Sequence, residues 1–268
     1  MCLAIFFLHH FSDSPLALAA NREEVYARPT RGPRWWPDEP GIFGGRDEVA
    51  GGTWLGVNRS GVLAAVTNRA ETGAAPPRAS DLRSRGLLCV DALRLPSSTD
   101  ALAWVSEHLH DVTYSPFNLL LADSSSAYVI HYVDGPRICE VSDGVHYLAD
   151  SDLDDPGHGR IARARALAAA ELQGSWRGSL EPLQRIMADH DGGVPPRDQM
   201  CRHFDRAGTV SSSLVGVPGP EGQEATYLYA PGPPCSNTYI DLSLQLRDAG
   251  VGALQRRQAA PGADRAAS

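Results

Sequence analysis

Cys2, Arg22 and Asn68 are the residues of this chain whose types and settings point to chemistry. Aminopeptidases clip Met1 readily before a side chain as small as cysteine. A mature chain starting at Cys2 would carry a thiol and a free α-amine on one residue. The amine titrates near about 7.7–8.0 and the thiol near about 8.5. The amine can therefore take the thiol proton close to neutrality and leave a nucleophilic thiolate. For an average cysteine, the commoner role is a small buried hydrophobe; position 2 tips the reading toward a nucleophile. Arg22, in LAANREEVYARPT, stands between Asn21 and the carboxylates of Glu23 and Glu24, where an apolar strand ends. Beside a thiolate it would supply a fixed positive charge that a carboxylate could orient; in a solvated loop it would form only a surface ion pair. Asn68 closes the apolar run GVLAAVTN. It is either a turn residue or an oxyanion donor, and one such donor is worth about 10²–10³ in rate.

The elements that must position these residues are β first. Residues 3–8 and 16–20 read as two buried strands joined by the turn former SDSP. Residues 21–41, rich in proline and charge, read as a structured loop. The glycine pairs and the NRSG turn of IFGGRDEVAGGTWLGVNRSGVLAAVTN give antiparallel hairpins. Helical spacing appears at 81–94 and 99–110, with Leu82, Leu87, Leu88 and Leu93, then Leu102, Val105 and Leu109, on common faces. Strands follow in FNLLLAD, SAYVIHYV and PRICEVSDGVHYLA, helices at 158–173 and 180–190, and strands again in TVSSSLVGV and ATYLYA. Strands and helices segregate instead of alternating, which predicts an α+β fold of two antiparallel sheets with helices outside. One domain over residues 1–250, followed by a disordered tail at 251–268, is the simplest organisation.

Composition removes several functions. The 268 residues carry a net charge of −8 without a basic stripe, which argues against a nucleic-acid partner. All 24 basic residues are arginines, so a pyridoxal-phosphate Schiff base, a Walker-type phosphate loop and a Ser-Lys dyad are excluded. The five cysteines are odd in number, far apart and without a CxxC pair. That spacing speaks against a disulfide framework and a structural zinc site, and for a reducing cytoplasm. LAIFFL lacks the basic flank of a signal peptide, and no apolar run reaches the roughly 18 residues of a membrane span. The expectation is a soluble cytoplasmic protein without stable membrane insertion. His108 and His110 fall on different sides of a helix, and His9 and His10 follow the first strand on alternate faces, so neither pair reads as a metal or haem site. No metal or cofactor is expected. Trp35, Trp36 and Trp54 suit core or loop packing, with a pocket wall as the alternative.

The string MCLAIFF…LALAANREEVYARPT…GGRDEVAGGTWLGVNRSGVLAAVTNR…SRG resembles the NRDE protein family, also called the transport and Golgi organisation 2 family. Its name motif appears here as Asn21, Arg22, Glu23 and Glu24, with Glu for Asp. The resemblance is dense to about residue 90 and resumes near HYLADSDLDDPGHGR and AGTVSSSLVGV. It implies an N-terminal nucleophile hydrolase fold, four layers αββα with two stacked antiparallel sheets. That fold is shared with penicillin V acylase, bile salt hydrolase and acid ceramidase, whose N-terminal cysteine attacks an amide carbonyl. By analogy Cys2 is nucleophile and base, Arg22 steadies the thiolate and Asn68 lines the oxyanion hole. Asn21, Glu23, Trp54 and Asp150 are the expected substrate-binding residues. Two positions depart from many relatives: Asp150 stands where an asparagine is common, and Val210 where an arginine is common. Family members are linked to Golgi organisation, lipid handling and haem trafficking. The leading reading is a cysteine amidohydrolase or thioesterase-like enzyme acting on a non-peptide acyl substrate. Its rival is a non-catalytic haem or lipid carrier that uses the same pocket.

Overall fold

In a computed structural model, described over residues 2–69, 82–172, 174–219 and 223–251, the apolar opening run becomes one arm of a long hairpin. Strand β1 (Leu3–Phe11) pairs antiparallel with β2 (Ser14–Val25), in register from Leu3 opposite Asn21 to Leu8 opposite Leu16, with a bulge before Phe11 meets Ser14. Side chains alternate across a strand, so the hairpin has two apolar faces. Leu3, Ile5, Phe7, Ala17 and Ala19 pack toward helices, while Ala4, Phe6, Leu8, Leu16 and Leu18 pack in the space between the sheets.

The first sheet is completed by β10 (Gly144–Leu148), β11 (Ala207–Val217), β12 (Thr226–Ala230) and β13 (Ile240–Asp241), in the order β10-β1-β2-β11-β12-β13. The second runs in simple sequence order, β3 (Thr30–Trp35), β4 (Ile42–Asp47), β5 (Leu55–Asn58), β6 (Leu63–Asn68), β7 (Phe117–Ala122), β8 (Ala127–Tyr132) and β9 (Pro136–Glu140). Helices α1 (Arg85–Ala92) and α2 (Ser98–Asp111) cover the outer face of the second sheet, and α3 (Gly159–Glu171) and α4 (Trp176–Ala188) cover that of the first. A third cluster fills the space between the sheets and ends in the short α5 (Ser243–Asp248). The two antiparallel sheets with helices outside are those the element pattern predicted, and the four layers αββα are those the family resemblance implied.

Residues 21–41 are the main correction to the expected elements. They are not a loop: β2 runs on to Val25, and β3 follows after a short turn. Asn21, Arg22 and Glu23 are polar yet buried within β2, where the Asn21 amide nitrogen, the Arg22 guanidinium and the Glu23 carboxylate find partners on other elements. Helix α4 starts at Trp176, earlier than its apolar spacing suggests, because the Ser175 side chain caps it by accepting from the Gly178 N–H. β13 and α5 were not expected, and the tail after Val251 lies outside the described residues. Among the described residues no helix is long and apolar enough to cross a membrane.

Two glycine contacts shape the middle of the chain. A Cβ on Gly52 would lie 2.2 Å from the carbonyl carbon of Gly86, so the start of α1 rests directly on the backbone before β5. There the Thr53 N–H donates to the Gly86 carbonyl at 3.1 Å. A Cβ on Gly45 would lie 2.3 Å from the Trp54 ring, so only glycine leaves room for that indole.

Candidate active site

Strand alternation separates the residues around the Asn-Arg-Glu-Glu motif. Ala20 packs with the cluster between the sheets, and Arg22, two residues on, faces the same way into a cavity of about 470 Å³. Cys2, one residue before β1, lines that cavity with Arg22, Trp54 and Asn68, and Glu24, Arg28, Asp47, Arg83 and Arg85 complete its charged rim. Asn21 and Glu23 project to the opposite, helix-covered face.

Arg22 is buried, and its surroundings compensate for that. Its guanidinium lies 4.0 Å over the centroid of the Trp54 ring, donates to Thr30 Oγ1 at 2.9 Å, and sits 3.7 Å from Glu24 Oε2. Burial lowers its proton affinity, while the nearby Cys2 thiol and the Glu24 and Asp47 carboxylates raise it. At Cys2, burial pushes the thiol above its ordinary value, and the Glu23 carboxylate adds in the same direction. A hydrogen bond from the Glu23 backbone and the charge of Arg22 pull it back. Of these influences burial is the largest and the charge of Arg22 the smallest.

Asn68 closes β6 on the facing sheet, where it pairs with Phe117 and lines the cavity. Its height relative to Cys2 is fixed by cross-sheet hydrogen bonds. Thr67 Oγ1 donates to the Ala149 carbonyl at 2.6 Å, and Asn118 Nδ2 donates to the carbonyls of Ala149 and Ser151, both at 2.9 Å. Ala149 directly follows β10, whose Leu148 pairs with Ala4 of β1, the strand that Cys2 precedes. The ends of β6 and β1 are therefore tied through one buried carbonyl.

The remaining expected ligand-binding residues are placed differently. Trp54 is a cavity wall. Asn21 is fully buried and spends its amide on the carbonyls of Met187 and Met200, both at 2.9 Å. It does not line the cavity; it anchors the end of α4 and the segment before β11. Glu23 borders the cavity, but its carboxylate receives the Arg160 guanidinium at 2.6 and 3.0 Å. Arg160 is 0% exposed, so this pair is internal architecture. Asp150 lies two residues past Leu148, at the level of Cys2, yet it is not among the residues lining the cavity. Its carboxylate accepts from His158 Nε2 at 2.9 Å, and His158 caps α3 through its other nitrogen. Val210 sits at a bulge in β11, between the pairs Thr209–Glu23 and Ser211–Arg22.

The aromatic and histidine readings resolve in the same way. Trp36 is core, its Nε1 donating to the Gly44 carbonyl, and Trp35 packs edge-on against Phe43. His108 stacks on Trp104 and bonds the Tyr114 hydroxyl, and His9 bridges Asp143 and the Ser124 carbonyl. Sequence reasoning missed Asn118 and Arg160, whose partners lie far away along the chain. It also set aside a metal cluster on spacing alone, whereas Cys201, His203 and Cys235 lie together.

Because Gly45 leaves room for Trp54, and Trp54 supports Arg22, Gly45→Ala is expected to destabilise the fold by about 1–3 kcal/mol through overpacking. Alkylation of Cys2 should slow several-fold as Arg22 loses its seat. Thermal melts and timed iodoacetamide labelling check both effects; an unchanged labelling rate would mean the indole yields without disturbing Arg22.

A four-layer αββα sandwich with a cysteine at the start of its first strand is the N-terminal nucleophile hydrolase fold. Solved structures agree: an N-acylethanolamine-hydrolyzing acid amidase ortholog of Caenorhabditis elegans superposes with a TM-score of 0.56 at 13% identity, covering 80% of this chain and 92% of that one. Penicillin V acylase from Agrobacterium tumefaciens gives a TM-score of 0.56 at 15% identity, covering 91% of this chain and 88% of that one. The sequence profile of the Transport and Golgi organisation 2 family matches residues 1–225, and the chain belongs to that family. The mouse Transport and Golgi organization 2 homolog is 33% identical over 154 residues, covering 53% of this chain and 52% of its own length. The bovine homolog is 38% identical over 119 residues, covering 41% of this chain and 40% of its own length. The chain thus matches about half the length of these curated relatives, or less.

Proposed function

We propose that this protein is a cysteine amidohydrolase or thioesterase of the N-terminal nucleophile type, acting on a small non-peptide acyl compound. The observation that carries the proposal is the meeting of Cys2, Arg22 and Asn68 on one cavity, whose volume of about 470 Å³ is within the usual range for small-molecule sites. Removal of Met1 frees the Cys2 amine, which takes the thiol proton. The thiolate attacks the acyl carbonyl carbon, and the Asn68 amide donates to the resulting oxyanion. The protonated amine then passes its proton to the leaving nitrogen or sulfur as the bond to the acyl carbon breaks. Water, losing a proton to the same amine, attacks the acyl-enzyme thioester and releases a carboxylic acid with the Cys2 thiol restored. The amidohydrolase names of the structural neighbours support the reaction class by analogy of fold only.

Intact-mass analysis with and without an acyl electrophile tests the proposal. The expected result is a chain lacking Met1 that gains one acyl group at neutral pH. Met1 retained in reactive protein would exclude the amine as base, because that nitrogen would be an amide. Failure to acylate, together with a ligand-dependent absorbance on adding haem, would favour the carrier reading instead. A pH series separates the contributions to the thiol. Burial raises its proton affinity and Arg22 lowers it, so Arg22→Ala should move the alkylation midpoint to higher pH and slow neutral-pH alkylation several-fold. An unmoved midpoint would leave Arg22 a purely structural role.

A further inference from the structure

Away from the cavity, the segment before β11 and the loop after β12 bring two thiols and an imidazole to one point. Cys201 Sγ lies 3.5 Å from Cys235 Sγ and 3.5 Å from His203 Nε2, and Cys235 Sγ lies 3.3 Å from His203 Nε2. Zinc binds thiolate sulfur at about 2.3 Å and imidazole nitrogen at about 2.0–2.1 Å, so a tetrahedral centre spaces two such sulfurs by about 3.8 Å and sulfur from nitrogen by about 3.6 Å. The three separations here fall within about 0.3 Å of those values. We propose that Cys201, His203 and Cys235 form a binding site for one zinc-class divalent cation, with water as the fourth ligand.

Each ligand is positioned by backbone rather than by chance contact. The Cys201 N–H donates to the Asp189 carbonyl at 2.8 Å, and His203 forms a bridge with Gly208. His190 packs edge-on against the His203 ring, with centroids 5.6 Å apart. Cys235 follows two prolines in a tight turn, where the Ser236 N–H donates to the Pro233 carbonyl at 3.0 Å. Burial grades across the cluster from Cys201, which is buried, through Cys235 to the exposed His203. The open side lets a cation and its water enter.

The chemistry of the donors selects the cation. Two thiols and an imidazole favour zinc over magnesium or calcium, which take oxygen ligands. In the metal-free protein, burial pushes the Cys201 thiol up to about 12, so that sulfur stays protonated and inert at neutral pH. Coordination converts both thiols to thiolates and releases two protons to solvent. The bound cation would staple the 231–239 loop to the segment that begins at Met200. The Met200 carbonyl accepts from both Asn21 and Arg160, so the staple stiffens the layer beneath Glu23. It is a structural clip, separate from the nucleophile.

The test uses full-length protein stripped with a chelator and reduced. Zinc titration should show one equivalent bound, with the melting temperature rising as zinc is added. Cobalt(II) in its place should give the thiolate charge-transfer and visible d–d absorption of a tetrahedral site. Cys201→Ser, Cys235→Ser and His203→Ala should each weaken zinc binding more than about 100-fold, beyond the 10–100-fold typical of losing only an outer partner, whereas Cys139→Ser should bind as wild type. His203 is exposed, so its variant keeps the fold and isolates the ligand effect. Zinc binding or a melting response that survives in His203→Ala overturns the proposal, as does wild-type protein that takes up no metal. A Cys201–Cys235 disulfide in protein purified without reductant, seen as a mass two hydrogens lower, also overturns it in favour of a redox pair.

Discussion

Cys2→Ala is expected to abolish acyl-probe labelling and to lower kcat on any substrate found by about four to six orders of magnitude, the scale seen when a covalent nucleophile is deleted. The other four cysteines cannot substitute. Cys89 is fully buried, and desolvation pushes its thiol far above the usual range. Cys201 is pushed up to about 12. Cys139 and Cys235 are partly exposed, but neither lines the cavity that holds Arg22 and Asn68. Single alanine variants at these four positions should therefore label as wild type. Cys2→Ser is the companion variant: it keeps an amine and a nucleophilic atom of similar shape while removing the easily ionised sulfur. Labelling that persists in Cys2→Ala, mapped to another cysteine by peptide mass, would move the site elsewhere.

The second large effect concerns stability. Glu23→Ala would leave the Arg160 guanidinium buried without its carboxylate, and breaking a buried pair from one side costs about 3–5 kcal/mol. For a chain of this size that corresponds to a fall in melting temperature of about 10 °C. Thr209 Oγ1, which also reaches Glu23 at 3.4 Å, cannot replace the lost charge. Replacing both partners with apolar residues, Glu23→Leu with Arg160→Met, should recover much of the loss, because no charge then remains in the interior. Arg185→Ala is the control: Arg185 pairs with Glu171 and Glu181 on the surface, and such pairs are worth about 0–1 kcal/mol. A melting shift for Glu23→Ala no larger than the control's would mean that water or another group already screens Arg160.

Most of the sheets could be read from the sequence because their strands are apolar runs bounded by turn residues. Leu3 to Leu8 and Leu16 to Ala19 are unbroken apolar runs buried on both faces, and the glycine pairs mark the hairpins between β4 and β6. What remained hidden was structure held by polar partners far along the chain. Asn21 and Glu23 read as loop because nothing nearby satisfies them; their partners sit on Met187, Met200 and Arg160, 137 or more residues away. Once β2 is extended, however, its two-residue period alone separates Arg22 from Asn21 and Glu23, and this signal was present in the sequence. The level of Asp150 opposite Cys2 follows from strand register, whereas its engagement with His158 depends on how α3 begins. Cys201, His203 and Cys235 could not be joined from spacing, since β11 and β12 lie between the first two and the last.

The rim of the cavity has a consequence for any kinetic measurement made on it. Its basic residues among the described positions are Arg22, Arg28, Arg83 and Arg85, and the chain contains no lysine at all. Guanidinium groups hold their proton throughout the working alkaline range, so the positive field over Cys2 does not fade as base is added. Amine-directed reagents, for their part, find no side chain to modify and report only on the α-amine. A rate profile taken between neutrality and mild alkali is thus a two-component curve of thiol and amine. Blocking the amine should reduce it to one component, making the proposed proton acceptor separable from its nucleophile in a single pair of titrations.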